Sequence, residues 1–150
     1  MRNRYLRGVV SVLPVVLLLA CEPVNSIEVH ELEGTWIASQ ARVVNIEFPK
    51  RNNVDIIEQG YEATFEADAQ GSFLLTVDAP DGSSEETVGT MVVNGKSIAI
   101  TTENGTGAGE VFKEDEQVAF RLEAGLTYDF DGFGEEVPVR LLLVMDRVQR

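Results

Sequence analysis

The sequence predicts an all-β domain, a single antiparallel up-and-down β-barrel of about eight strands. Three observations predict it. Apolar and polar residues alternate with period two over most of the chain from Tyr61 to Met145. Turn dipeptides separate the alternating runs at short, fairly regular spacing. No stretch carries the 3.6-residue apolar period of a long amphipathic helix. A strand with one face on a core and the other in water records that arrangement as strict alternation.

Ahead of the domain lies a targeting segment. Residues 1–7 hold three arginines and no acid, and residues 8–19 are mostly Val and Leu. Twelve helical residues make roughly 18 Å at ~1.5 Å per residue, too short for a hydrocarbon core of ~30 Å. Pro14 weakens a long helix further. Residues 1–20 therefore read as a secretory signal peptide. The run Leu18-Leu19-Ala20-Cys21 resembles the lipobox of bacterial lipoproteins. The resemblance implies cleavage after Ala20 and a lipid-modified N-terminus at Cys21, because a thiol can be made into a diacylglyceryl thioether. Several acyl chains, palmitate among them, give stable anchoring. Glu22 stands where Asp favours inner-membrane retention in that family, so the resemblance implies the outer membrane, with the domain facing the periplasm. Residues 21–31 then form the lipidated cysteine and a short tether, and residues 32–150 the barrel.

Composition narrows the function classes. The chain has 12 basic and 25 acidic residues; with three arginines in the signal, the mature part holds nine basic against 25 acidic, a net −16. Such a surface repels nucleic acid and anionic lipid, and no basic stripe with interleaved aromatics is present. A basic protein partner is compatible with it. Cys21 is the one cysteine and His30 the one histidine; a single cysteine leaves no internal disulfide or multi-thiol zinc site, and its expected acylation leaves no thiol for a Cys-His nucleophile pair.

The strands follow in order. They are expected at 35–48, 61–67, 72–78, 87–93, 97–102, 109–113, 117–123 with a tight link to 126–130, and 137–148. The first of these alternates less well than the others. Residues 54–57 are read as loop or as an extra strand, and one helical turn is placed near residues 29–33. Asn94-Gly95 marks the clearest hairpin, since Asn-Gly supplies the positive φ that two-residue turns need. Gly105-Thr106-Gly107-Ala108-Gly109 reads as a flexible hairpin loop; no helix follows it, so it is no phosphate cradle. A meander this long leaves two exposed edges unless it closes, which favours a barrel.

Three local features resemble bacterial lipocalin-like domains. They are Leu32-Glu33-Gly34-Thr35-Trp36, the hairpin pattern from Gly89 to Ile98, and Arg147 near the end of the last strand. The resemblance implies a lipocalin-like barrel over residues 32–149, closed at one end by Trp36, with Gly34 before it and Arg147 packed over the indole; Arg140 competes for that role. It also implies a barrel that holds one small apolar or amphipathic ligand or is filled by side chains.

Candidate sites follow from the same alternation. The inward row Phe65, Phe73, Leu75, Phe120, Leu122, Tyr128 and Phe130 lines a ligand pocket or forms core. Asp129-Phe130-Asp131-Gly132 lacks full calcium-loop spacing and reads as a turn. His30 stands alone, without thiol or imidazole neighbours. No catalytic residue, metal site or cofactor site is expected, and the domain is read as non-enzymatic. The expected function is ligand binding by a membrane-anchored lipoprotein. The alternative is an interaction or structural lipoprotein with a filled barrel, its acidic loops meeting a basic protein.

Overall fold

The computed structural model describes residues 26–149. The expected signal peptide and Cys21 lie outside the described residues. A single 3₁₀ turn, Val29–Leu32, precedes ten strands: β1 Gly34–Asn45, β2 Asn53–Asp55, β3 Glu62–Ala67, β4 Ser72–Asp78, β5 Ser84–Asn94, β6 Ser97–Thr102, β7 Gly105–Glu114, β8 Gln117–Ala124, β9 Thr127–Tyr128 and β10 Val137–Arg147. Strands β1, β3, β4, β5, β6, β7, β8 and β10 pair in that order, and β1 pairs with β10 to close the ring. All pairings are antiparallel. The architecture is thus the expected closed eight-stranded barrel. Strands β2 and β9 are short additions, on β1 and β10 respectively.

Inward-facing side chains fill the interior in the parity the alternation predicts. Ala63 and Phe65 on β3, Phe73 on β4, Val118, Phe120 and Leu122 on β8, and Leu143 and Met145 on β10 are all buried. The first strand departs from simple alternation for a local reason. Trp36 and Ala38 point inward at even numbers, whereas Ala41, Val43 and Asn45 do so at odd numbers. The register with β10 shifts between Ala38 and Gln40, which makes Ser39 an inserted residue. One extra residue in a period-two strand flips every later side chain.

The bulge is held by β2. Asp55 is buried, and its Oδ1 accepts the N–H groups of Ala41 and Ile57, each at 3.1 Å. Ile56 N–H donates to the Ala41 carbonyl at 3.0 Å. The backbone at Ala41, just past the insertion, is thereby satisfied from outside the barrel ladder. The alternative of a strand within residues 54–57 is the one realised, shifted to Asn53–Asp55.

Several boundaries differ from the sequence expectation, among them β5, which begins at Ser84 and not at Thr87. Packing begins at Ile27 and not near Leu32: Ile27 is buried and bridges Gly95, with its N–H 3.1 Å from the Gly95 carbonyl. The glycine-rich segment from Gly105 belongs to β7, because every residue from Gly105 to Glu110 pairs with β6. The expected strand at 126–130 shrinks to Thr127–Tyr128, which pair with Pro138 and Val137 of β10, while the Leu126 carbonyl accepts the Val139 N–H at 3.1 Å and Asp129 already turns the chain. The first strand stops at Asn45, whose Oδ1 accepts the N–H groups of Glu47 and Phe48 at 2.8 and 3.0 Å and turns the chain.

Removing the Asp55 carboxylate tests the bulge directly. Asp55→Ala leaves the Ala41 and Ile57 N–H groups without an acceptor and is expected to lower unfolding free energy by about 2–3 kcal/mol, whereas Asp55→Asn, which keeps one oxygen, loses about half of that. Equilibrium urea unfolding of both variants measures the difference.

Candidate functional site

The two ends of the barrel are built differently. The end that receives residues 27–32 is closed. Trp36 is fully buried, and its Nε1–H donates to the Leu32 carbonyl at 2.9 Å. Leu32, Met145, Val111 and Val118 are buried around it. The Arg147 guanidinium carbon lies 5.2 Å from the centre of the indole ring, and Nη2 donates to the Glu33 carbonyl at 2.8 Å. A cation over an indole face is attracted by the ring quadrupole. Gly34 makes room for this contact. Its φ of +129° disfavours any side chain, and an added Cβ would meet Arg147 Nη2 at 3.3 Å. Arg140 lies on the outer face instead, with Nε 3.2 Å from Glu123.

The opposite half of the barrel encloses a cavity of about 520 Å³. Its floor is a cluster of three rings: Phe65 lies 5.4 Å from Phe73 and 5.5 Å from Phe120, centroid to centroid. Leu75, Leu122, Ile100, Leu141 and Leu143 form apolar walls. Towards the mouth the lining turns polar, with Thr87, Thr102, Asn104, Thr106, Thr127, Glu85 and Glu136. Glu136 Oε2 accepts the Thr127 hydroxyl at 2.5 Å.

The cavity exists because inward positions shrink along β5, β6 and β7. At the closed end these strands contribute Met91, Ile98 and Val111, all buried. Moving towards the mouth, β5 offers Gly89 and Thr87, β6 offers Thr102, and β7 offers Gly107 and Gly105. Gly89 faces Phe73 across the ladder, and a Cβ there would lie 2.6 Å from the Phe73 ring. The missing side chain is what leaves room for that ring in the floor.

Five of the seven residues expected to line a pocket do so: Phe65, Phe73, Leu75, Phe120 and Leu122. Tyr128 and Phe130 do not. The chain leaves the barrel ladder after β8, and the two rings pack edge-to-face on each other at 4.9 Å, away from the cavity lining. Burial raises the Tyr128 phenol above its ordinary value, reinforced by Tyr61 and Asp129. The mouth residues Glu85, Thr87, Thr102 and Thr127 escape an apolar-alternation reading because they are polar; for Glu85 and Thr87 the signal was inward parity with Met91.

The segment after Tyr128 is a tight turn. Asp129 accepts N–H groups from Asp131, Gly132 and Gly134 at 3.2, 2.8 and 2.6 Å. These donors, that of Gly134 foremost, hold its carboxyl below the usual range. His30 Nδ1 lies 3.2 Å from Glu28 at the exposed 3₁₀ turn. No group of three metal-ligating side chains occurs among the described residues.

No family model matches the chain, and no curated protein does. Among solved structures it is similar to a de novo designed fluorescence-activating β-barrel, at 13% identity over 81% of this chain and 99% of that one, with a TM-score of 0.46. It is also similar to EF1p2_mFAP2b bound to DFHBI, at 16% identity over 78% of this chain and 94% of that one, with a TM-score of 0.43.

The closed end makes a direct prediction. Arg147→Ala removes the guanidinium over Trp36 and its bond to Glu33, with an expected loss of about 1–2 kcal/mol. Trp36 emission should shift to the red as water reaches the indole. Steady-state fluorescence with urea unfolding reads both effects.

Proposed function

We propose that the chain is a non-enzymatic, lipid-anchored protein of the cell envelope whose barrel holds one small apolar or amphipathic molecule. The observation that carries this reading is the cavity of about 520 Å³ over the Phe65, Phe73 and Phe120 floor. Ligand sites commonly measure ~300–1,000 Å³, with apolar walls and a few polar groups placed to orient the ligand. The carboxylate and hydroxyl groups at this mouth can do that orienting.

Anchoring rests on Cys21 and supplies a geometry. Six residue steps lead from Cys21 to Ile27, a reach of at most roughly 20–22 Å at ~3.3–3.6 Å per residue. Ile27 packs at the closed end, beside the turn at Gly95. An anchor at Cys21 therefore holds the closed end near the bilayer and turns the mouth towards the aqueous compartment. In this reading the membrane is the outer membrane, and the ligand enters from the periplasmic side. The rival reading, a lipoprotein that engages a basic protein, draws on the mouth loop 129–136, where Phe133 is 88% exposed among acids.

Every strand and the closing seam lie within residues 34–147 and the plug begins at Ile27, so the chain from Glu22 contains the complete barrel. That chain is expected to bind N-phenylnaphthylamine with a single site and enhanced probe emission. Leu75→Trp, which fills the cavity, should weaken binding at least tenfold. Absence of binding, or binding untouched by Leu75→Trp, would count against the cavity reading. Cys21→Ser in the full chain should abolish lipid labelling and membrane association.

A further inference from the structure

The charges around the cavity have one sign. Its lining includes two carboxylates at the mouth, Glu85 and Glu136, and no Lys, Arg or His among the described residues. Glu85 lies on the inward side of β5, opposite inward Val77. Glu136 is positioned by the Thr127 hydroxyl. The cations of the two neighbouring strands are spent elsewhere: Arg121 pairs with Glu110 and Arg140 with Glu123, both on the outer face. Arg147 belongs to the opposite end, over Trp36.

An acid group on a ligand seated in this cavity would face two carboxylates, with hydroxyls and the Asn104 amide as its only side-chain donors in the lining. Bringing an anion out of water without a partner is costly, and like charges add to the cost. A cationic group at the mouth gains the Glu85 and Glu136 carboxylates as acceptors. The apolar part needs a separate explanation, and the three-ring floor provides it: tilted and edge-to-face rings give an apolar surface that suits an apolar or aromatic body. The net −16 of the mature chain raises the local concentration of cations at any opening.

From this we propose that the cavity selects cationic amphiphiles: an apolar or aromatic body seated on Phe65, Phe73 and Phe120, with an ammonium or amidinium group held at the mouth by Glu85 and Glu136. The inference rests on the cavity reading above and adds a ligand class to it. It separates the protein from carriers of fatty acids or phosphate lipids, whose head groups need a lining cation.

Three probes with one shared body test it: N-phenylnaphthylamine, its sulfonate anilinonaphthalene sulfonate, and its trimethylammonium derivative. They are titrated into the chain from Glu22 at low ionic strength. The cation is expected to bind about tenfold tighter than the neutral probe, and the sulfonate weakest. In Glu85→Gln/Glu136→Gln the ratio of cation to neutral affinity, measured in the same variant, should fall to about twofold or less. Glu66→Gln/Glu114→Gln, which removes the same charge from positions outside the cavity, should leave the preference intact. Neutral binding with no cation preference, or a preference equally reduced by both double variants, would overturn the inference and leave the cavity reading standing. Failure of all three probes to bind would overturn both.

Discussion

The hydrogen-bonded seam between β1 and β10 converts a meander into a barrel, and both ends of the molecule take their character from it. Nine residue pairs join the two strands, from Trp36 opposite Arg147 to Asn45 opposite Val139. Closure satisfies two strand edges that would otherwise present unpaired N–H and C=O groups to water or to other chains. The same pairing sets Trp36 opposite Arg147, so the register of the seam also delivers the cation to the indole. The cost of closing lies in the inserted Ser39, which bends β1 and would strand the backbone at Ala41. Asp55 and Ile56 offset that cost from the short β2.

Packing is divided along the barrel axis. Near Trp36 the interior is filled by Leu32, Met91, Ile98, Val111, Val118 and Met145, all buried. A filled end supplies the apolar burial that a domain without disulfides depends on. Past the Phe65, Phe73 and Phe120 rings most inward side chains of β5 to β7 become Gly and Thr, with Ile100 left as a wall and Glu85 at the mouth, and the interior opens. One end therefore carries stability, while the other can hold a cavity without emptying the main core. The two requirements are met by different residues of the same strands.

Most of the fold was legible because a half-buried strand writes its two faces into the sequence. Residues 72–78 and 97–102 coincide with β4 and β6, and the inward phenylalanines fall where parity places them. What was not legible has physical causes. Ser39 shifts parity within β1, and no residue type at that position announces an insertion. The glycines from Gly105 to Gly109 lack the side chains that alternation needs, so a strand that makes space looks like a loop. Tyr128 and Phe130 continue the period-two pattern, yet pairing with β10 ends at Tyr128 and Phe130 lies past it, and pattern alone does not reveal where pairing stops. The mouth of the cavity escaped for a related reason. Its inward residues are Thr and Glu, and a search for apolar lining passes over the groups best suited to orient a ligand.

The account depends most on closure. Residue-resolved amide hydrogen exchange of the chain from Glu22 tests it most directly. A closed barrel predicts that the amides directed across the seam, those of Arg42 and Val44 on β1 and of Arg140 and Leu142 on β10, are protected to the same degree as those between β3 and β4. Fast exchange along β1 and β10, as two free edges would show, with protection confined to the strands between them, would contradict it.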